Sequence, residues 1–143
     1  MKRSIQLSLI LFLLTAIAFP TIVNADTAGN QIAGTWEVHI DAGAMQFTDL
    51  SSMTRDGQVI TVNPGGGTAL GGWQRVQGRT YDVNFTGFAP GDVRATIFST
   101  VDLSTDGQEF SGPFLTEFRD LEGNLLFDME GTVHGTRLPI IGF

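Results

Sequence analysis

The chain has 143 residues with 15 acidic side chains, eight basic ones, no cysteine and a formal net charge of −7 at pH 7. Without cysteine there is no disulfide and no thiolate metal site, so stability must come from burial and strand pairing. An acidic surface repels nucleic acid and anionic membrane faces, and we expect neither as a partner.

Residues 1–25 have the order of a secretory signal peptide. Lys2 and Arg3 precede the apolar run 5–19, and small residues lead to Ala25. This order predicts cleavage after Ala25. The run is shorter than the ~20 residues that a membrane-spanning helix needs. No cysteine follows it, so we expect no lipid anchor and no stable attachment to a membrane.

The predicted mature part, residues 26–143, is long enough for one domain with one core. It has six arginines, no lysine and all 15 acids, which give a formal charge of −9. The absence of lysine excludes Schiff-base chemistry on a lysine of this domain. We expect a secreted or periplasmic protein, and the sequence leaves its oligomeric state open.

Runs with alternating apolar and polar residues fill the predicted domain, and no stretch of it has helical periodicity. We predict eight strands, at residues 34–41, 45–54, 58–63, 70–77, 79–88, 92–103, 108–119 and 124–138. Two of the turns between them contain an Asp-Gly pair, at 56–57 and 106–107, which favours a tight hairpin because glycine accepts a positive φ. The prediction is an all-β fold, a single up-and-down antiparallel barrel that closes on itself and leaves no exposed edge.

The alternation also predicts which side chains point into the barrel. The aromatic ones, which would form the walls and orienting contacts of a ligand pocket, are Phe47, Trp73, Tyr81, Phe85, Phe110, Phe114, Phe118 and Phe127. Eight-stranded barrels can be just wide enough for their own side chains, so a filled core is the alternative to a pocket. The glycine-rich segment 64–67 is predicted to be a flexible lip at the barrel mouth.

Two residues of the first and last predicted strands form a seam. The alternation of the last predicted strand places Arg137 on the interior face, where a charge needs a partner. If the two strands pair antiparallel, Trp36 faces Arg137, and the guanidinium can lie on the indole and close one end of the barrel.

The seam carries a resemblance to a known superfamily. Gly34-Thr35-Trp36 resembles the Gly-x-Trp motif on the first strand of lipocalins and other calycins, and Arg137 resembles the late arginine that packs across that tryptophan. Calycins are small antiparallel barrels that mostly carry apolar small molecules. In general layout the chain resembles small secreted bacterial proteins of lipocalin-like type. The resemblance implies structural roles for Gly34, Trp36 and Arg137, and a small, mostly apolar partner.

Few residues have side chains that suggest catalysis or metal binding. The inward Asp49 would have a raised pKa in apolar surroundings, and with Tyr81 it is a weak candidate for acid–base catalysis. The register of the seam also places His39 opposite His134 on the outer face. Two imidazoles fall short of the three protein ligands that a catalytic zinc needs, so we predict a solvated face. The sequence predicts no metal site and no cofactor.

Three functions are consistent with this sequence. The first is a barrel that binds a small, mostly apolar molecule in its interior. The second is a small β-barrel cyclase or isomerase of the allene-oxide-cyclase or dirigent kind, in which Asp49 and Tyr81 would share one cavity. The third is a filled barrel that acts through its exterior as a self-associating or surface-interaction module. The first is the expectation that the aromatic interior favours.

Overall fold

The structure is a computed structural model that describes residues 31–139. The predicted signal peptide, residues 1–25, lies outside the described residues, as do 26–30 and 140–143 of the predicted domain. The described part contains eight strands, β1 (Gly34–Ala42), β2 (Met45–Met53), β3 (Gln58–Val62), β4 (Thr68–Gln77), β5 (Thr80–Ala89), β6 (Val93–Leu103), β7 (Glu109–Arg119) and β8 (Leu125–Arg137). Each predicted strand is present, with its ends within about two residues of the prediction.

The strands form a closed antiparallel barrel in which each strand pairs with the next one and β8 pairs with β1. The predicted up-and-down barrel is therefore confirmed. The register of the closing pair sets Trp36 opposite Arg137 and His39 opposite His134, as the sequence predicted. Within residues 31–139 there is no helix long and apolar enough to cross a membrane.

One end of the barrel is closed, and we call it the floor. It contains the start of β1, the end of β8 and the turns 54–57, 78–79 and 104–108. Trp36 and Tyr81 are fully buried near it, and so is Ile32, which precedes β1. The opposite end, the mouth, is formed by the other four connections, which include the loop 63–67.

The guanidinium group of Arg137 closes the floor, and all three of its nitrogens donate hydrogen bonds. Its Cζ lies 4.1 Å from the centroid of the Trp36 ring. Its Nε donates a hydrogen bond to the carbonyl oxygen of Gly107 at 2.7 Å. Its two terminal nitrogens donate to the carbonyl oxygens of Ala33 at 2.8 Å and Gln31 at 2.6 Å. The planar fork therefore joins the chain before β1 to the turn before β7, and burial lowers the pKa of this guanidinium.

Trp36 is held by contacts of its own. Its indole nitrogen donates to the carbonyl oxygen of Ile32 at 2.9 Å, and its ring meets Phe110 edge to face at 4.9 Å. Gly34 has φ +151°, and a Cβ there would overlap the guanidinium of Arg137. The structure therefore supplies a reason for each residue of the predicted seam: glycine leaves the space that arginine fills, and arginine covers tryptophan.

Glycines inside the strands make room for the large aromatic rings of the interior. Three inward phenylalanines lie opposite a glycine on a neighbouring strand, in the pairs Phe85 with Gly71, Phe110 with Gly135, and Phe114 with Gly131. A Cβ at Gly135 would overlap the ring of Phe110, and one at Gly131 would lie 2.7 Å from the ring of Phe114. These glycines let the rings lean against the backbone of the next strand, as aromatic side chains do over strand glycines.

Candidate functional site

A cavity of about 620 Å³ lies between the floor and the mouth of the barrel. Its volume is in the range of about 300–1,000 Å³ that small-molecule sites occupy. Its walls are mostly apolar, and the predicted site residues among them are Phe47, Asp49, Phe85, Phe110, Phe114 and Phe118. The interior is therefore hollow toward the mouth, and side chains fill it only toward the floor.

Two predicted pocket residues, Trp73 and Tyr81, lie outside the cavity lining. The ring of Trp73 meets that of Tyr81 edge to face at 5.8 Å, and its indole nitrogen donates to the carbonyl oxygen of Thr54 at 2.9 Å. Thr54 begins one of the floor turns, so this pair belongs to the filled part of the barrel. Both side chains point inward, as predicted. They lie too close to the floor to line the cavity, and they pack in the filled part of the barrel.

Phe127 is the third predicted pocket residue that does not line the cavity. Its side chain is 55% exposed and stacks on the ring of Phe118 at 4.3 Å. The pairing of β8 with β1 begins only at Thr132, opposite Asp41. Residues 125–131 therefore have no β1 partner, and Phe127 projects past the rim. It supports a wall residue from outside the cavity.

The loop 63–67 contributes to the mouth, where the sequence predicted a lip. Asn63 holds it together: its backbone nitrogen donates to the carbonyl oxygen of Gly67 at 3.0 Å, and its side-chain oxygen accepts from the backbone nitrogen of Gly67 at 3.0 Å. Asn63, Gly65 and Gly67 all line the cavity. On the β5–β6 side of the mouth, Phe88 is 70% exposed and also lines the cavity. The entrance is thus flanked by a polar loop and an exposed aromatic ring.

Most buried hydroxyls of the cavity wall satisfy one another or the backbone. Ser51 and Thr61 lie opposite each other on β2 and β3, and their hydroxyl oxygens are 2.9 Å apart. Ser99 donates to the carbonyl oxygen of Pro113 at 2.9 Å. These hydroxyls stabilise the wall and do not need a ligand.

Asp49 differs from these hydroxyls. It is only 9% exposed, and its Oδ1 has no hydrogen-bond partner among the described residues. Burial raises the pKa of this carboxyl to about 6, the direction expected from its inward position in the sequence. An acid with a pKa near 6 can exchange a proton close to neutral pH.

The two candidate catalytic groups do not face the same cavity. Asp49 lines it and Tyr81 does not. The phenol oxygen of Tyr81 is buried without a hydrogen-bond partner among residues 31–139. Burial raises the pKa of Tyr81, and the positive charge of Arg75 opposes that rise. Of the two predicted acid–base candidates, the cavity lining of the described residues therefore contains the carboxyl and not the phenol.

The two histidines are on the outer surface, as predicted. His39 contacts Thr48 through Nδ1 at 2.8 Å and Glu37 through Nε2 at 3.3 Å. Among residues 31–139, no three or more histidines and carboxylates come together in a way that could hold a metal ion. This face therefore has the polar contacts of a solvated strand pair.

Residues that the sequence analysis did not propose for ligand contact also line the cavity. They are chiefly aliphatic, and include Val38, Ile40, Ala95, Ile97, Met129 and Val133. The alternation places every one of them on the interior face, so a sequence signal existed. It separates inside from outside, but it does not distinguish a wall residue from a core residue.

No protein-family model, curated protein or solved structure matches the chain.

Proposed function

We propose that the chain is a secreted or periplasmic lipocalin-like barrel that binds a small, mostly apolar molecule in its interior. The single observation that carries the proposal is the open cavity of about 620 Å³ with apolar walls. Binding transfers apolar surface of the ligand from water to these walls, and each buried CH₂ group contributes about 0.8 kcal/mol.

The construction of the barrel supports this proposal. Rigid aromatic rings form much of the wall, and glycines on the neighbouring strand leave the room that the rings of Phe110 and Phe114 occupy. Space is therefore kept open by the backbone pairing itself, before any ligand arrives. A preformed pocket avoids the cost of ordering its side chains on binding.

Fluorescence of N-phenyl-1-naphthylamine, a neutral apolar probe, tests the proposal. The blocking variant is Ala95→Trp, because Ala95 lines the cavity and lies opposite Gly87 and Phe118. The matched control is Ser111→Trp, which adds the same indole at an exposed position of β7.

We expect the wild-type protein and the control to bind the probe with one-to-one stoichiometry. The blocking variant should bind it about tenfold more weakly or not at all, because an indole occupies part of the cavity. Equal binding by the two tryptophan variants would place the probe elsewhere and contradict the proposal. Thermal melting of each variant confirms that the barrel is intact.

A further inference from the structure

Among residues 31–139, Asp49 is the one ionisable side chain in the cavity lining. The lining contains no arginine or histidine among the residues described, so no cation of the barrel faces this carboxyl. On β1, the direct neighbour of Asp49 is Val38. The titratable side chains nearest along β1, Glu37 and His39, have the opposite parity and lie on the outer face.

The strand pairing explains why the barrel offers Asp49 no partner. The ladder between β2 and β3 ends at the pair Leu50 and Val62. Asp49 is one residue beyond that end, so it has a neighbour on β1 but none on β3. The next inward position on β2, Ser51, does have a β3 partner, and its hydroxyl is paired there with Thr61. The unpaired carboxyl is thus at the place where the wall opens toward the loop 63–67.

A buried carboxylate without a partner is unfavourable unless something else supplies hydrogen-bond donors or positive charge. No described residue of the cavity wall supplies that group, so a molecule that displaces water from the cavity has to supply it itself. A protonated amine supplies both, and a charge-assisted hydrogen bond is about twice as strong as one between neutral groups. A ligand carboxylate would instead meet a like charge in a cavity whose described lining contains no arginine or histidine.

We propose that the ligand is an apolar amine, whose hydrocarbon part lies against the phenylalanine walls and whose ammonium group pairs with Asp49. This inference rests on the proposed function and specifies the chemical class of the ligand. It gives the cavity two separable parts, an apolar one that any hydrocarbon can fill and an anionic one that selects a cation.

The pH dependence follows from the same carboxyl. The pKa of Asp49 is raised to about 6, so the free protein has a carboxylate above that pH and a neutral acid below it. An alkyl amine stays protonated across this range. Its affinity should therefore be highest above about pH 6 and decrease as the pH falls below it, whereas the affinity of an alcohol should change little.

Displacement of N-phenyl-1-naphthylamine by three ten-carbon molecules tests the inference. They are 1-decylamine, 1-decanol and decanoate, which share a hydrocarbon chain and differ in the charge of the head group. The proteins are the wild type, Asp49→Asn and, as a control, Asp128→Asn, which removes an exposed carboxylate of β8. Each is measured near pH 8 and near pH 5.

Near pH 8 we expect decylamine to bind the wild type and the control about ten- to a hundredfold more tightly than decanol, and decanoate to bind most weakly. Asp49→Asn should remove most of the preference for the amine, and so should the change to pH 5 in the wild type. The pH series keeps the test valid if the variant does not fold.

Equal affinities for amine and alcohol in the wild type would overturn the inference and leave the proposed function standing. A preference for the amine that persists in Asp49→Asn would also overturn it, because the selectivity would then come from the acidic surface. If neither the fluorescent probe nor any of the three molecules binds, the proposed function and the inference both fail.

Discussion

The floor and the cavity of the barrel treat a charged side chain in opposite ways. At the floor, the half-buried Arg137 donates to three backbone carbonyl oxygens and covers the Trp36 ring. In the cavity, Asp49 is 9% exposed, and its Oδ1 has no partner in the described chain. The first charge is satisfied by the protein and stabilises the fold. The second has an oxygen without a partner, which under the proposed function is available to a bound molecule.

This difference separates the two roles of the interior. The floor is a packed plug in which the guanidinium of Arg137 and the indole nitrogen of Trp36 donate to backbone carbonyl oxygens, and its residues are expected to affect stability. The cavity wall shares buried apolar residues with the core, but it also contains Asp49, whose Oδ1 has no partner among the described residues. Asp49 is therefore expected to affect binding and to be unfavourable for stability. Substitutions of Arg137 and of Asp49 should change the free energy of unfolding in opposite directions.

The largest expected effect is at the floor. Trp36→Ala removes a fully buried indole together with its hydrogen bond to Ile32. We expect the free energy of unfolding to fall by about 3–5 kcal/mol, as for large-to-small changes at other buried aromatic residues. Urea denaturation measures it. Ala95→Gly, a small change in the cavity wall, should have a much smaller effect, and comparable losses for the two variants would contradict a division between floor and cavity.

Removal of the floor charge should be the next largest effect. Arg137→Met keeps an apolar stem but leaves the carbonyl oxygens of Gln31, Ala33 and Gly107 without this donor. We expect a loss of about 2–4 kcal/mol in the free energy of unfolding, because three backbone acceptors lose a charged donor and the Trp36 ring loses the guanidinium that covers it. Arg94→Met, at an exposed position of β6, is the control. A loss in Arg137→Met no larger than in the control would show that the plug is dispensable.

Replacement of a glycine that makes room for an inward aromatic ring should have an intermediate effect on stability. Gly135→Ala introduces a Cβ that overlaps the ring of Phe110 and forces that ring to move. We expect a loss of about 1–3 kcal/mol, typical of overpacking. Thr136→Ala, at the adjacent exposed position, should change stability by less than about 0.5 kcal/mol. Thermal and urea denaturation of the two variants measure the difference. If Gly135→Ala leaves the free energy of unfolding unchanged, the Phe110 ring can move without cost and the glycine is not required.

Asp49→Asn should have the smallest effect on stability and the opposite sign. The folded pKa of about 6 lies above the value near 4 of an unfolded aspartate. The wild type therefore loses stability as the pH rises from about 4 to about 6 and stays at the lower level above that.

The asparagine variant does not titrate there. We expect it to be more stable than the wild type by about 1–2 kcal/mol near pH 8, a figure reduced because the open mouth admits water, and equally stable near pH 4. Urea denaturation at the two pH values checks this. Destabilisation at pH 8 would show that the carboxylate is satisfied after all, and would remove the contrast between the two ends.

Much of the fold follows from local sequence signals. Strict alternation marks the strands, Asp-Gly pairs mark turns, and the shared register of Trp36 with Arg137 and of His39 with His134 follows from pairing the first strand with the last. These signals act over a few residues or one strand pair, so a single sequence contains them. The number of strands and the closure of the barrel were predictable for that reason.

The depth of a side chain was not predictable from the sequence. The alternation assigns three aromatic side chains to the interior face, but they lie at different depths. Phe114 lines the cavity, Tyr81 is buried outside its lining, and Phe127 is 55% exposed at the rim. Whether a side chain points inward or outward depends on its position within one strand. Depth depends on where the neighbouring strands stop, such as β1 at Ala42. The lack of a β3 partner for Asp49 has the same origin, because β3 ends at Val62.

Amide chemical shifts of the ¹⁵N-labelled protein, recorded with and without one equivalent of 1-decanol, test the central claim most directly. The predicted result is a set of shifts confined to the cavity wall, with the largest at residues such as Phe47, Asp49 and Phe114, and none at the outward Phe98. Absence of any shift, or shifts only on the outer face of the barrel, would contradict a hollow interior that binds small apolar molecules.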